Sequence, residues 1–390
     1  MEEPIHIHMF HKDLRLFDNN ALKLALNHYT NRMVRVVPIC ILDNSVCDKQ
    51  EANFSIRKAR FLIQSLINLH TQIEHYSGEL YVFKTKQPEQ LINVLISSLR
   101  PQSISWNAHD TCQFSFVKEL VKDVFISSRK QSIVKSKTFT TFKKKILEPD
   151  IIDYTKVVFD ANNDTITSIQ GYIAYSDWKI LYVDAWHCPL KGGRRMGLEW
   201  LRQIKYKCRN YMNNHMIPSK DCEIKIQVYL DWGCLSIGEV VEYLEENINK
   251  KNLNSILKTL YSYLSYTSKA VVYPGVVSLD IDLLLKWCRG KTRIPFIDAG
   301  LRQLLLTGLI HHKVKDYVMS YLVHKLQIHK FYGIRWFDRL SIINYNWDAI
   351  PDNLNLWHDS KQLDPRGKYI KKWVTELKDS DIDSIHHMNE

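Results

Sequence analysis

The sequence predicts a doubly wound parallel α/β domain that is followed by a helical domain. Strand-like and helix-like periods alternate over about the first 145 residues, which is typical of a parallel sheet covered by helices. From Met196 onward only helical periods occur, and between the two parts Asp, Asn, Ser and Tyr dominate. We therefore expect an α/β domain at residues 1–145, an interdomain connection at residues 146–195 and a helical domain at residues 196–390.

Four segments of the first part have the pattern of strands. Ile5–Phe10 alternates apolar with polar residues, and Val34–Leu42 is a nearly continuous apolar run. Such a run is expected of a strand that is buried on both faces of a parallel sheet. Leu80–Phe83 and Ser103–Trp106 are two shorter strand candidates.

Helices are predicted between and after these strands. Arg57–His75 carries apolar residues at helical spacing, and Pro88 begins a further helix that ends near Leu99. Six segments of the second part have helical periodicity: Gly197–Met212, Ile237–Asn247, Leu253–Tyr266, Leu279–Trp287, Ile297–Thr307 and Val314–Ile328.

The composition excludes several classes of protein. Of the 390 residues, 45% are hydrophobic and 24% are charged, which excludes a disordered chain and a small disulfide scaffold. The eight cysteines form no CxxC pair and no zinc-finger spacing with histidine, so we expect a reducing compartment and no metal site. No signal peptide and no apolar run of membrane-spanning length occurs. We therefore expect an intracellular protein, cytoplasmic or nuclear, without a membrane partner.

The charge favours a polyanionic partner. Lys and Arg number 53 against 42 Asp and Glu, which gives a net charge of +11. DNA would be attracted by such a surplus, although a basic soluble enzyme can carry the same charge.

Gly78 is the only glycine before residue 150, so the first part has neither a GxGxxG nor a P-loop motif. This argues against a Rossmann dinucleotide enzyme and against a P-loop NTPase.

Several blocks of sequence resemble the photolyase/cryptochrome family. Met9–Leu22, MFHKDLRLFDNNAL, resembles the family's "WFRRDLRLxDNPAL", and Thr138–Lys143 resembles its "FTPFxK". Trp287–Leu304 follows "WxxGxTGxPxVDAxMRQL", and Asp364–Val374 resembles "DPxGxYIRRWVPEL". Because these blocks occur in order at both ends and in the middle, the resemblance covers nearly the whole chain.

The resemblance implies a fold and a function. Family members have an N-terminal α/β domain and a helical domain that holds FAD, and the light-excited flavin passes an electron to a pyrimidine dimer flipped out of DNA. The chain would then be a DNA-binding flavoprotein for light-driven repair of UV pyrimidine photoproducts, and a DNA photolyase if it is active. Nothing in the sequence indicates an antenna chromophore.

The resemblance also assigns roles to individual residues. His312 takes a position held by Asn in dimer photolyases and by His in six-four photolyases, where it faces flavin and lesion. The positions implied for the cofactor are Tyr211, Lys315, Asn344, Asn346 and Asn353. Trp357 matches the first tryptophan of the electron relay. The residues implied for DNA binding are Lys313, Lys325 and Arg339. Two plainer interpretations stay open, a helix-end histidine bonded to backbone and basic residues on a solvated helix face.

Departures from the family pattern favour a second interpretation. The stretch Cys222–Leu230 replaces the hydroxyl-rich loop that meets the FAD diphosphate, and Glu223 places a carboxylate there. The segment Asn254–Tyr261 lacks the family's lesion-stacking Trp, and Lys330 replaces the relay's middle Trp. The alternative is therefore a degenerate member that has lost FAD and is a non-enzymatic DNA-binding or scaffold protein with a protein partner.

Overall fold

The computed structural model shows a sheet-based first part and a helical second part. It describes residues 3–29, 32–42, 54–108, 125–130, 149, 151–181, 189–207, 211–220, 225–264, 279–345, 347, 350–352 and 354–386. Within these residues, no helix has the length and apolar character needed to cross a membrane.

A mixed, mostly parallel sheet forms the centre of the first part. Its strands are β1 Ile5–Phe10, β2 Val34–Leu42, β3 Tyr81–Lys84, β4 Ser103–Ala108, β5 Phe125–Lys130, β6 Val157–Phe159 and β7 Tyr172–Ile173. The order is β5-β4-β1-β2-β3-β7, and β6 pairs with the beginning of β2. Only β7 is antiparallel to its neighbour among these pairs. The predicted α/β fold is confirmed, and β6 and β7 arise from residues 146–195.

The helices of the first part are α1 Asn20–Asn27, α2 Ile56–Glu74, α3 Pro88–Leu99 and α4 Asp164–Thr167. Their starts follow from local chemistry. The Asn19 and Ser55 side chains accept hydrogen bonds from the backbone N–H groups of Leu22 and Lys58 at the beginnings of α1 and α2. Pro88 stands in the first turn of α3, where its missing N–H costs no hydrogen bond.

The helices of the second part are α5 Arg194–Lys207, α6 Tyr211–Asn214, α7 Gln227–Asp231, α8 Ile237–Asn247, α9 Lys250–Leu264, α10 Ile281–Cys288, α11 Pro295–Thr307, α12 His312–Ser320, α13 Lys330–Leu340, α14 Leu356–Leu363, α15 Lys368–Trp373 and α16 Ile382–His386. Helix α12 continues into a π-helical turn, Tyr321–Lys325. Ser236 and Glu239 form a capping box that fixes the start of α8.

One of the hydrophobic clusters contains residues of both parts. Phe61 of α2 packs edge-to-face against Tyr229 of α7, with 5.3 Å between the ring centroids. Leu66 of α2 and Leu235 and Leu257 of the helical part belong to the same buried cluster. The sheet domain therefore positions the helices that surround the candidate site.

Arg57 forms hydrogen bonds that connect the two parts. Its Nη1 donates to the carbonyl oxygen of Leu340 at 3.0 Å, and its Nη2 donates to that of Leu305 at 2.5 Å. These carbonyls lie at the ends of α13 and α11, where a cation also meets the negative ends of the helix dipoles. The residue is 3% exposed.

We expect Arg57→Met to lower the free energy of unfolding by about 2 kcal/mol or more, because both charged hydrogen bonds are lost in a buried place. Urea unfolding measures this loss. Arg32→Met, at an exposed arginine of the sheet domain, is the control and should change stability little. Equal stability of the two variants would contradict the role of Arg57.

A buried polar chain runs between β1 and β4; it comprises Asn19, His8, Ser105, His6 and Ser103. The Oδ1 of Asn19 accepts from the backbone at 3.3 Å as the cap of α1, so its Nδ2 is the atom that donates to His8 Nε2 at 3.1 Å. Neutral His8 then donates from Nδ1 to Ser105 at 2.6 Å, and His6 Nε2 lies 2.8 Å from the same hydroxyl. Both imidazoles are thus buried with hydrogen-bond partners and serve as core residues.

Candidate functional site

The candidate site lies where α6, α9 and the start of α12 meet. Tyr211 is the first residue of α6 and is 2% exposed. Its hydroxyl lies 3.2 Å from Oγ1 of Thr259, which stands on α9. His312 begins α12, and His311 caps that helix by accepting from the backbone N–H of Lys313 at 3.3 Å.

Four rings gather at this junction, and we call Tyr211, His215, His311 and His312 the ring cluster. The rings of Tyr211 and His215 lie 4.7 Å apart at 20°. The rings of His215 and His312 are almost parallel, at 7°, with centroids 6.4 Å apart. His311 lies 4.5 Å from His312. Two segments about a hundred residues apart in the chain thus pack their rings into one cluster.

Hydrogen bonds to backbone carbonyls fix the orientation of two of these imidazoles. A carbonyl oxygen only accepts, so His215 Nδ1 donates to the carbonyl of Tyr211 at 2.8 Å. His311 Nε2 donates in the same way to the carbonyl of His215 at 3.0 Å. Because His311 Nδ1 accepts from Lys313, this ring has its proton on Nε2. The end of α6 is thereby tied to the start of α12.

Lys315 lies one turn along α12 from the ring cluster, and its backbone N–H donates to the carbonyl of His311 at 2.9 Å. The residue is 9% exposed. The ammonium group pairs with Asp316 at 3.0 Å and lies 4.6 Å from the ring centroid of Trp347 and 5.8 Å from that of Tyr345. A carboxylate and two aromatic faces therefore hold this cation.

Asn344 lies at the contact between the sheet domain and the helical part. Its Oδ1 accepts from Nζ of Lys58 at 2.9 Å, and its Nδ2 donates to Asp231 at 3.3 Å. Burial lowers the pKa of Lys58, and nearby aspartates offset part of that effect. The contacts of Asn344 thus join α2 to the end of α7 and do not include Lys315.

The remaining predicted site residues are spread over the helical part. Lys313 is the second residue of α12, Lys325 is exposed in the π-helical turn, and Arg339 is exposed in the last turn of α13. Trp357 lies in α14, and its side chain is outside what the structure describes. Asn346 and Asn353 lie outside the described residues. So do Cys222 and Glu223, which belong to the stretch that differs from the family pattern.

Sequence reasoning missed His215 and the structural role of His311. His215 follows Tyr211 by four residues, a spacing that brings two side chains to one face of a helix and could have indicated it. His311 stands directly before α12, where capping residues occur. Among the described residues, no group of three or more His, Cys, Asp or Glu side chains is arranged for a metal ion. The partly buried rings of His215 and His312 are the members of the ring cluster that a ligand could contact.

Comparisons with known proteins identify the family. A family model described as "DNA photolyase" matches residues 6–113, and one described as "FAD binding domain of DNA photolyase" matches residues 246–390. The chain is 23% identical to a cryptochrome DASH of Gloeobacter violaceus, over 94% of this chain and 85% of the relative. It is also 23% identical to a deoxyribodipyrimidine photo-lyase of Buchnera aphidicola, over 98% of this chain and 89% of the relative.

A solved structure has the same fold. The bacterial class III photolyase from Agrobacterium tumefaciens superposes with a TM-score of 0.78 at 21% identity, covering 99% of this chain and 89% of that chain. This likeness confirms the predicted architecture of a parallel α/β domain followed by a photolyase-like helical domain. Matched by family models in both parts and similar to these relatives along nearly its whole length, the chain belongs to the photolyase/cryptochrome family.

Proposed function

We propose that this protein is a photolyase-type flavoprotein that binds FAD in its helical domain and repairs UV pyrimidine photoproducts in DNA with light. The observation that carries the proposal is the ring cluster, in which the ring of His215 lies next to both Tyr211 and His312, with Lys315 one turn further along α12. The family resemblance assigns Tyr211, His312 and Lys315, which come from two segments of the chain, to FAD and the lesion. The Buchnera relative, a deoxyribodipyrimidine photo-lyase, supports the same activity.

Each residue has a definite task in this proposal. FAD, when bound, supplies the light-driven electron that splits the photoproduct. His312 is partly buried at the start of α12, where its imidazole can hold the lesion and exchange a proton with it. Lys315 contributes a positive charge one turn along α12 from the ring cluster, where its ammonium pairs with Asp316 and lies over Trp347. Exposed basic residues, among them Lys325 and Arg339, bind DNA phosphates.

The repair function is tested on DNA oligonucleotides that carry either a cyclobutane dimer or a six-four photoproduct. We expect the protein with reduced FAD to restore the bases under illumination, and His312→Ala to slow repair by about 10²-fold or more. His75→Ala, at an exposed histidine of the sheet domain, is the control and should repair normally. Persistence of both lesions with FAD bound would contradict a repair activity.

If basic side chains bind DNA phosphates, the affinity for DNA should depend on the salt concentration. Replacing Lys313, Lys325 and Arg339 together by Glu should weaken DNA binding and lower the slope of log affinity against log salt by about 1 for each DNA phosphate that is no longer neutralised. Fluorescence anisotropy with labelled DNA at several salt concentrations measures both. The control reverses three exposed lysines elsewhere: Lys86, Lys251 and Lys378. If the two triple variants bind equally, Lys313, Lys325 and Arg339 do not bind DNA.

One observation favours a second candidate, a family member without FAD that binds DNA or a protein partner. In the family a cation beside the flavin pairs with aspartates, whereas here Lys315 pairs with Asp316 and Asn344 bonds to Lys58 and Asp231. Among the described residues, the cation thus pairs with its neighbour in the chain, and Asn344, at one of the two family aspartate positions, carries no charge. A protein that takes up no FAD and still binds DNA would support this candidate.

A further inference from the structure

The histidine chain of the sheet domain ends beside a buried carboxylate. His8 Nε2 accepts from Nδ2 of Asn19 at 3.1 Å, and Oδ2 of Asp13 lies 3.9 Å from the same nitrogen. The side chains of His8 and Asp13 are 0% and 1% exposed. The carboxylate is thus close to the imidazole but too far away for a hydrogen bond.

Asp13 organises the loop that follows β1. Its Oδ1 accepts from the backbone N–H of His11 at 2.8 Å. Its Oδ2 accepts from Nδ2 of Asn107, at the end of β4, at 2.6 Å. The carboxylate therefore connects the loop to the sheet.

The same loop contacts the helical part. The backbone N–H of Leu14 donates to the carbonyl of Trp232 at 3.3 Å. Nη1 of Arg15 donates to the carbonyl of Gly233 at 2.9 Å. Both carbonyls lie in the turn between α7 and α8. A movement of Asp13, the neighbour of Leu14 in the chain, would therefore disturb this contact.

A second proton on His8 is incompatible with its present partner. Nε2 would then carry a hydrogen, so it and Nδ2 of Asn19 would be two donors facing each other. The Asn19 amide cannot simply turn over, because its Oδ1 already accepts from Leu22 N–H at 3.3 Å and from Nδ2 of Asn107 at 2.7 Å. A charged His8 must therefore take another acceptor.

Asp13 is the acceptor within reach. The titratable groups that face His8 are His6 on its own strand and Asp13 in the loop, and Arg15 is a further charge near Asp13. The other polar side chains that surround these groups are neutral: Asn19, Ser105 and Asn107. Burial lowers the pKa of His8 to about 4, and the charge of Asp13 offsets part of this effect. The ring is thus neutral at pH 7 and takes its second proton in acid.

We propose that His8 is an acid switch at the contact between the two parts. On protonation its Nε2–H exchanges Asn19 for Oδ2 of Asp13 and draws this carboxylate away from Asn107. The loop of residues 11–15 then loosens, and its hydrogen bonds to the turn between α7 and α8 weaken. The proton comes from solvent and returns to it when the pH rises.

Hydrogen exchange of the full-length protein at pH 7 and pH 4.5, corrected for intrinsic exchange rates, tests this switch. In the wild type, the protection of residues 11–18 should fall about tenfold or more at pH 4.5 relative to that of β2. His8→Gln should abolish this excess loss, because glutamine does not titrate. His6→Gln is the matched control, since it removes a buried imidazole whose hydrogen bonds do not involve the loop, and it should keep the excess loss.

Two outcomes of hydrogen exchange would overturn the switch. One is an excess loss that persists in His8→Gln or is absent from the wild type, and the other is its disappearance from both variants, which would indicate a general loss of stability. Nitrogen NMR of the wild-type protein with labelled histidine needs no substitution. At pH 7 the hydrogen of His8 should be on Nδ1, and in acid the folded protein should carry one on each nitrogen. A hydrogen on Nε2 at pH 7 would also overturn the proposal.

Discussion

Acid should destabilise this protein by several kcal/mol through two histidines of its first strand. Burial lowers the pKa of His6 from 6.5 to about 3 and that of His8 from 6.5 to about 4, and the charge of His8 further lowers the pKa of His6. Between these values and pH 6.5, the unfolded chain binds protons that the native chain does not. Stability therefore falls as the pH decreases from 6.5 towards 4.

The double variant His6→Gln/His8→Gln tests this expectation, because glutamine keeps hydrogen-bonding capacity and does not titrate. Urea unfolding at a series of pH values should give a clearly shallower loss of stability with acid than the wild-type protein shows. His75→Gln, at an exposed histidine, should retain the wild-type slope. Parallel curves for the double variant and the wild type would contradict a neutral, buried His6–His8 pair.

Gly233→Ala should also lower the free energy of unfolding by a large amount, because the added methyl group has no room. Gly233 has a φ of +62°, and an added Cβ would lie 2.1 Å from the carbonyl oxygen of Lys12 and 2.4 Å from Cα of Asp13. These backbone atoms cannot move away freely, because Leu14 N–H donates to the carbonyl of Trp232 at 3.3 Å. We expect a loss of about 3 kcal/mol or more in the free energy of unfolding.

Gly367→Ala is the matched control for this substitution. Gly367 has a similar φ of +61°, but the nearest atom to its added Cβ is the side-chain tip Cδ1 of Ile385. A side-chain end can rotate away, so the control should lose only about 1 kcal/mol for its backbone conformation. Chemical denaturation of both variants gives the comparison. Equal losses would show that the close approach at Gly233 is not rigid.

The local pattern of apolar residues and helix caps in the sequence was sufficient to predict most of the fold. The apolar run Val34–Leu42 is strand β2 as predicted, and Pro88–Leu99 is helix α3. These predictions succeed because periodicity and caps are properties of neighbouring residues. The strands β6 and β7 are only three and two residues long, and so short a segment has too little periodicity to indicate a strand.

Residues of the candidate site could be predicted only where the sequence resembles the family. Tyr211 and His312 were indicated by resemblance, but their approach depends on the packing of α6 against α12. The bond between Asn344 and Lys58 joins residues 286 positions apart, and the bond between His311 and His215 spans 96. Such long-range interactions are set by the tertiary fold, so no local pattern indicates them.

The most direct test of the proposed photolyase function is an absorption spectrum of the purified protein, followed by titration with FAD. We predict a flavin band in the isolated protein, or saturable uptake of one FAD per chain. Either result would show that the chain binds FAD, as the proposed photolyase function requires. A spectrum without flavin, together with no uptake of added FAD, would contradict the proposed photolyase function.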